Sequence, residues 1–394
     1  MTAQSLNVVN DFNPALCDAL AHCIAESPQQ RLTFAEYMDL VLYHPQHGYY
    51  ATKAINIGRQ GDFFTSPHLG PDFGELLAEQ FAQMWEILGR FRPFTLLEIG
   101  AGQGFLAADI LGYLERHYPD FFAALDYVIV ERSDTLKQQQ QQRLQNLGDR
   151  LKWCSLEEIP AGSITGCCFS NELVDALPVH QFIIQEGQLQ EIYVTTKDGC
   201  NFEEVIGAST PRLAEYFDLV GIKLPSSAYP DGYRSEVNLA ALDWLKMVAS
   251  RLQHGYLLTI DYGYPTSRYY SPARSQGTLQ CYYRHRHHNN PYINIGRQDI
   301  TAHVDFTALE RWGEICGLNN LGFIQQGLFL MALGLGERLA ALSTSGQGLT
   351  PLLQQREALH QLIDPMGLGR FGVLVQSKGL SETAQHLKGL IPSI

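Results

Sequence analysis

The run Glu98-Ile-Gly-Ala-Gly-Gln-Gly104 sets three glycines at alternate positions behind an apolar stretch, Thr95-Leu-Leu-Glu-Ile99. A glycine-rich turn between a strand and a helix lets the main chain approach a nucleotide-like ligand with no side chain in the way. A dinucleotide site needs its third glycine three positions after the second. That position is Phe105 here, and the glycine stands at 104. The spacing therefore fits S-adenosylmethionine better than NAD. On this reading Gly100, Ala101, Gly102 and Gly104 line the donor, and Glu98 fixes the turn. The next apolar stretch, Tyr127-Val-Ile-Val130, ends in Glu131, placed to accept hydrogen bonds from both ribose hydroxyls. Arg132 beside it keeps an NADP reading open, in which the guanidinium pairs with a 2′-phosphate.

A second constellation is Ser170-Asn-Glu-Leu-Val-Asp-Ala-Leu-Pro-Val-His180, again at the end of an apolar stretch. In open α/β sheets the carboxyl ends of strands face the ligand crevice. Methyl transfer from a sulfonium is an in-line displacement that needs the nucleophile held at roughly 3–3.5 Å with its lone pair aligned. For a guanidinium acceptor, carboxylates grip the planar fork and draw positive charge onto the non-attacking nitrogens. Glu172 and Asp175 are expected to do this, with Asn171 positioning the acceptor and His180 carrying a proton. Asp175 could instead cap a helix, and His180 could make a structural hydrogen bond. Gly61-Asp-Phe-Phe-Thr-Ser-Pro67 brings Asp62 and Thr65 toward the donor as a further wall. Asp261-Tyr-Gly263 and Thr301-Ala-His-Val-Asp305 read as walls at the crevice edge, the latter equally as a helix start. No metal-ligand spacing is present, since the histidines at 285, 287 and 288 lack neighbouring Cys or carboxylate partners.

The elements that must position these residues are legible as patterns. Helices are predicted at about 12–26 and 33–43, the second opened by a Thr33–Glu36 capping box and stopped by Pro45. Residues 48–67 read as a hairpin or ordered loop, followed by a helix at about 71–88. From Phe94 apolar strands alternate with helices, the pattern of a mostly parallel sheet covered on both faces. Residues 179–205 alternate with period two around Glu186-Gly187, predicting a hairpin added to that core. Residues 263–305 are too long for a passive connector and are a candidate functional loop. Helix is expected at about 335–362, then a last strand at 372–376. The chain divides into an N-terminal helical and hairpin segment, 1–90, covering the site, and a core, 91–394, with insertions near 179–235 and 263–305.

Composition limits the rest. The chain has 28 basic and 41 acidic residues, a net charge of -13, with 45% hydrophobic and 18% charged residues. Such a balance repels phosphate backbones and suits a cationic acceptor, so nucleic acid is not the expected partner. The eight cysteines form no C-x-x-C pair and read as buried free thiols. No stretch reaches the ~20 apolar residues of a membrane span. Residues 1–28 lack Arg and Lys, unlike a transit peptide, and a cytoplasmic location is expected.

Taken in order, the segments resemble the MidA family of complex I assembly methyltransferases. The resemblance rests on Tyr43 to Tyr50, Gly61 to Pro67, Phe73-Gly-Glu75, Leu97 to Gly104, Asn171 to Pro178, Ile260-Asp-Tyr-Gly263, Gly277-Thr-Leu279, Asp299 to Phe306 and Pro365-Met-Gly367. It spans about 43–378. It implies a class I methyltransferase (Rossmann-like) core with S-adenosylmethionine as donor and S-adenosylhomocysteine as product. It also implies symmetric dimethylation of an arginine on a subunit of an NADH dehydrogenase complex, in support of its assembly. Rivals are a non-catalytic assembly factor that keeps the donor fold and an NAD(P)-dependent oxidoreductase. Oligomeric state stays open. Two departures stand out: His68-Leu69-Gly70 where the family has an acidic residue, and Arg132 where it has a small or apolar one.

Overall fold

The computed structural model describes residues 11–52, 65–284, 286–342, 348–380 and 386–391. Its centre is a seven-stranded sheet. Numbered in chain order, the strands are β1 Phe94–Ile99, β2 Leu125–Val130, β3 Leu151–Cys154, β4 Ile164–Asn171, β5 Leu252–Asp261, β6 Asn319–Gln325 and β7 Gly372–Lys378. They lie in the order β6-β7-β5-β4-β1-β2-β3. β1 to β5 run parallel, and β7 is antiparallel to both its neighbours. The chain thus begins at β1, winds outward to β3, and returns past β1 to start β4 on its other side.

Because side chains alternate along a strand, a sheet covered on both faces needs apolar residues at every position. Leu96, Cys167, Leu258 and Val373 enter one core with the helices Asp72–Ile87, Phe105–His117 and Gln326–Ala332. Leu97, Cys168, Leu257 and Leu374 enter the other, with Leu239–Arg251 and Phe306–Ile315. Within segment 1–90, Asp72–Ile87 packs in the core, with Phe81 5.0 Å from Phe169 between ring centroids.

The capping box forms as expected, Thr33 and Glu36 exchanging hydrogen bonds at the start of helix Phe34–Tyr43. The hairpin His180–Gln185/Gln188–Thr196 also forms, but not as an addition to the central sheet. With Leu32–Thr33, Phe202–Ala208 and Arg234–Val237 it makes a separate antiparallel sheet, because these strands, and none of the central sheet, take up its edge hydrogen bonds. The expected hairpin or loop at 48–67 falls mostly on residues 53–64, outside the described residues; on either side, Tyr49–Thr52 is one helical turn and Ser66–His68 a tight turn. The long loop is more ordered than its composition implied, with Gln280–Tyr283, Arg286–His288 and Asp299–Thr301 forming a small sheet. Among the described residues no helix is long and apolar enough to cross a membrane.

Candidate active site

Strand register brings the two sequence constellations to one edge. Val130, Ile99 and Ser170 are aligned across β2, β1 and β4, and Asn171 is aligned with Ile260 on β5. Glu131, Gly100, Glu172 and Asp261 therefore emerge side by side at the carboxyl ends, where the winding reverses between β1 and β4. Crevices open at such a reversal because the two following connections turn away from each other. Here it is a pocket enclosing about 910 Å³ of empty space with its mouth, lined in part by Thr65, Glu98, Gly100, Ala101, Gly102 and Glu131.

The glycine turn has left-handed backbone at Gly100, Gly102 and Gly104 (φ +76°, +53° and +78°). At Gly100 a Cβ would lie 2.8 Å from Leu173 Cδ1, so this glycine also permits the turn after β4 to pack against it. At Gly102 a Cβ would meet no atom within 4 Å. The main chain there borders the open pocket. Gly102→Val is expected to lower affinity for S-adenosylhomocysteine at least tenfold, since a β-branched residue at positive φ is strained and its methyls enter the pocket, at roughly 1–2 kcal/mol for the backbone alone. Calorimetric titration giving the wild-type affinity would contradict the loop's assignment to the donor.

Glu131 is held at the rim with lone pairs to spare. Oε1 accepts from Ser133 N at 2.8 Å, and Oε2 accepts from Gln140 Nε2 at 2.9 Å. Gln140 Nε2 also donates to the Gly102 carbonyl at 2.7 Å, while its carbonyl accepts from Trp153 Nε1 at 2.9 Å. One fully buried glutamine ties the acid to the glycine turn. Sequence reasoning passed over it as one of five glutamines, although Leu136, Gln140 and Leu144 are buried at helical spacing. Glu98 is buried under the turn with its carboxyl accepting from Tyr127 Oη at 2.6 Å, and burial pushes its pKa up to about 7.

Arg132 does not await a phosphate. It ion-pairs with Asp39 at 2.8 Å and lies 4.8 Å over the Tyr43 ring, clamping helix Phe34–Tyr43 to the rim. That occupation removes the support for an NADP site. Tyr43 and Tyr50 stack at 5.2 Å over the pocket, with Tyr50 Oη donating to Asp299 Oδ1 at 2.9 Å. Both tyrosines bound the motif stretch Tyr43 to Tyr50, but neither was expected to line the site. Thr65 lines the pocket through a 2.7 Å bond to His68 Nδ1, and Asp62 lies outside the described residues.

On the other side of Tyr50 and Glu172 a second cavity opens, about 1340 Å³ in empty volume. Glu172, Asp175 and Asp299 line it, with Tyr262 and His303. Glu172 has a left-handed backbone (φ +51°), costly for a residue with a side chain and typical of functional positions. Its Oε1 accepts from Asn171 Nδ2 at 3.2 Å and Ser66 N at 3.4 Å. Asp175 is not a cap. Asp261 performs that service from β5, accepting from Val174 N at 2.8 Å and Asp175 N at 3.3 Å and so holding the turn after β4. Asp305 caps helix Phe306–Ile315, as its helix-start pattern allowed.

Burial first, then Asp261, pushes Glu172 up to about 8; burial pushes Asp261 to about 7; and burial, Asp261, Glu172 and Asp299 hold Asp175 well above the carboxylate range. Such carboxyls keep protons in the native state that the unfolded chain has released. Their contribution to stability is full below the ordinary Glu value of 4.5 and is lost as pH rises through about 8. Between about pH 6 and pH 8.5 the Tm of the free protein is expected to fall, and to fall less steeply in Glu172→Gln. Parallel Tm–pH curves for the two proteins would show that Glu172 titrates normally.

Gly104 does not line the donor pocket but starts helix Phe105–His117, where a Cβ would meet Gln140 at 3.3 Å; His180 is taken farther away. It lines neither cavity, and its Nδ1 bonds to the buried Glu191 at 2.6 Å inside the second sheet. The alternating strand that begins at His180 turns it toward Glu191, so it carries no proton at the site.

The family described as putative S-adenosyl-L-methionine-dependent methyltransferases matches residues 76–324. The protein arginine methyltransferase NDUFAF7 homolog of Drosophila melanogaster is 31% identical over 388 residues, covering 90% of this chain and 82% of that protein. The chain belongs to this methyltransferase family. Human protein arginine methyltransferase NDUFAF7 is 28% identical to the methyltransferase over 372 residues, covering 86% of this chain and 78% of its own. A Burkholderia thailandensis crystal structure, described as a likely methyl transferase bound to S-adenosyl-homocysteine, shares its fold at TM-score 0.81, with 33% identity over 95% of both chains. The methyltransferase is thus an enzyme with S-adenosylmethionine as donor, as the glycine spacing implied, and the open space beside Gly102 fits such a ligand. The same comparisons overturn the expected cytoplasmic location: the Drosophila and human relatives are both named mitochondrial. The absence of basic residues in 1–28 was a poor guide, because it describes one segment's charge and not a compartment.

Proposed function

We propose that this methyltransferase modifies a protein arginine, on a subunit of an NADH dehydrogenase complex. The reading rests on one observation above all: the donor pocket and a carboxylate-lined cavity meet at Glu172 and Tyr50. The names of the Drosophila and human relatives support the arginine, and the motif resemblance supports the complex.

S-adenosylmethionine supplies an electrophilic methyl group when bound. Glu131 would accept hydrogen bonds from its ribose, and the main chain at Gly100–Gly102 would border its amino-acid part. Glu172 and Asp175 accept N–H bonds from the guanidinium and keep positive charge away from the attacking nitrogen. Asn171 and Ser66 N hold Glu172 Oε1, which leaves Oε2 for the acceptor. Tyr50 closes the junction and excludes water. A cation entering this cluster offsets the mutual repulsion of its carboxyls, so Glu172 and Asp175 ionise as the arginine binds and Glu172 can then take the proton released on transfer.

The test is incubation of the purified protein with labelled donor and a cell extract, followed by mass spectrometry of the labelled product. Label on arginine of a dehydrogenase subunit is expected; label in lipid or RNA instead would overturn the acceptor assignment.

A further inference from the structure

The second cavity is lined by both signs of charge: Glu172, which also lines the donor pocket, with Asp175 and Asp299, and the cations Arg370 and Arg286. Arg370 and Arg286 line this cavity and not the donor pocket. Arg370 belongs to a group of three guanidiniums that converge on Tyr264. Arg268 lies 4.4 Å, Arg274 4.6 Å and Arg370 5.8 Å from the centroid of that ring. Arg370 also lies 4.6 Å over Tyr262 and donates to Tyr264 Oη. Arg274 donates to the main-chain carbonyls of Arg268 and Tyr269 at 2.8 and 3.3 Å.

Among the described residues none of these three arginines ion-pairs with a carboxylate. Arg132, Arg212, Arg234 and Arg338 all do, at 2.7–2.9 Å. In a chain of net charge -13, three clustered and uncompensated cations are a costly arrangement, since like charges repel across a few ångströms. Two neighbours register the positive field. Burial, then Arg274, Arg370 and Arg268, hold His303 down at about 3. Burial alone would raise Tyr264, yet Tyr262 and the same three arginines bring it below the ordinary tyrosine value.

Resting on the arginine reading above, we propose that Arg268, Arg274 and Arg370 form an anion subsite that recognises an acidic side chain of the substrate protein near its target arginine. The target guanidinium points inward to Glu172 and Asp175, and the flanking carboxylate outward to the arginine cluster. A peptide of that polarity is favoured in one direction only, because reversal sets like charges against each other at both ends. The cleft thereby selects both the residue to be methylated and its sequence neighbourhood.

The experiment compares arginine peptides that carry Asp or Glu at successive flanking positions with the same peptides carrying Lys. Both KM and kcat are measured with S-adenosylmethionine, and binding is measured with S-adenosylhomocysteine present. Acidic flanks at a preferred distance are expected to lower KM about tenfold at unchanged kcat. Arg268 is exposed, so Arg268→Glu is expected to fold and to shift the preference toward Lys flanks. Equal KM values for acidic and Lys flanks in both proteins would overturn the subsite while leaving arginine methylation standing. Failure of every arginine peptide to bind or accept label, with donor affinity intact, would overturn the arginine reading and the subsite together.

Discussion

Glu172→Gln is expected to slow methyl transfer on the order of 10²–10³-fold while affinity for S-adenosylhomocysteine stays within about threefold. The glutamine keeps the volume of the side chain, and its carbonyl can still accept from Asn171 Nδ2 and Ser66 N at the Oε1 position. Its amide nitrogen then replaces Oε2 and presents N–H to an acceptor that is itself all donors. Charge and hydrogen-bond polarity are lost together at the point where the two cavities meet. The substitution leaves the φ of +51° in place, so folding need not suffer beyond the strain already there. Single-turnover transfer and calorimetric donor titration on the same preparation separate the outcomes. Equal losses in both would refute an acceptor role and make Glu172 a donor ligand.

Glu131→Gln should do the opposite, lowering affinity for S-adenosylhomocysteine on the order of 10²-fold. Hydrogen bonds to a charged group contribute about 1.5–3 kcal/mol each, and the proposed ribose contact has two. The glutamine retains the packing but must choose between the donors it faces: Ser133 N and Gln140 Nε2 already use both oxygens. With its amide nitrogen in the Oε2 place it would set N–H against the Gln140 Nε2 donor, and the Gly102 carbonyl would lose part of its support. Calorimetry reads the affinity, and Tm measured without ligand shows how much of the loss is mere loosening of the turn. Donor affinity within twofold of wild type would remove Glu131 from the donor site.

Much of this protein was legible in its residue pattern. Apolar stretches separated by helical windows imply a parallel, doubly covered sheet, because only strands buried on both faces carry apolar residues at consecutive positions; the edge strand β6, Asn319–Gln325, is not apolar and was not legible this way. β1, β2, β4 and β5 were all readable this way, as was the capping box at Thr33. Glycine is nearly unique in adopting positive φ freely, so the turn after β1 announced itself through residue type alone. Glu131 followed by counting to the end of the next strand.

What failed in the sequence were assignments that depend on where a strand's partners come from. His180 has a plausible proton-carrier identity, and nothing local says that Glu191 faces it from the neighbouring strand. The glutamine run looked uniform, yet Gln140 alone turns inward, because helical geometry puts it in line with Leu136 and Leu144. Arg132 looked available for a phosphate until Asp39 and Tyr43, far away in the chain, were found against it.

Residue type and spacing determined the donor chemistry, since a bare turn followed by a placed acid needs only adjacent stretches of chain. Tertiary structure decided the acceptor side. Tyr50, Asp175, the stretch holding Asp299 and His303, and Arg370 are four separated segments, and only the sheet's winding and the folded long loop bring them to one cleft. The reason is physical: backbone conformation is encoded locally, whereas the charge of a cavity is the sum of groups that meet only after the chain has packed.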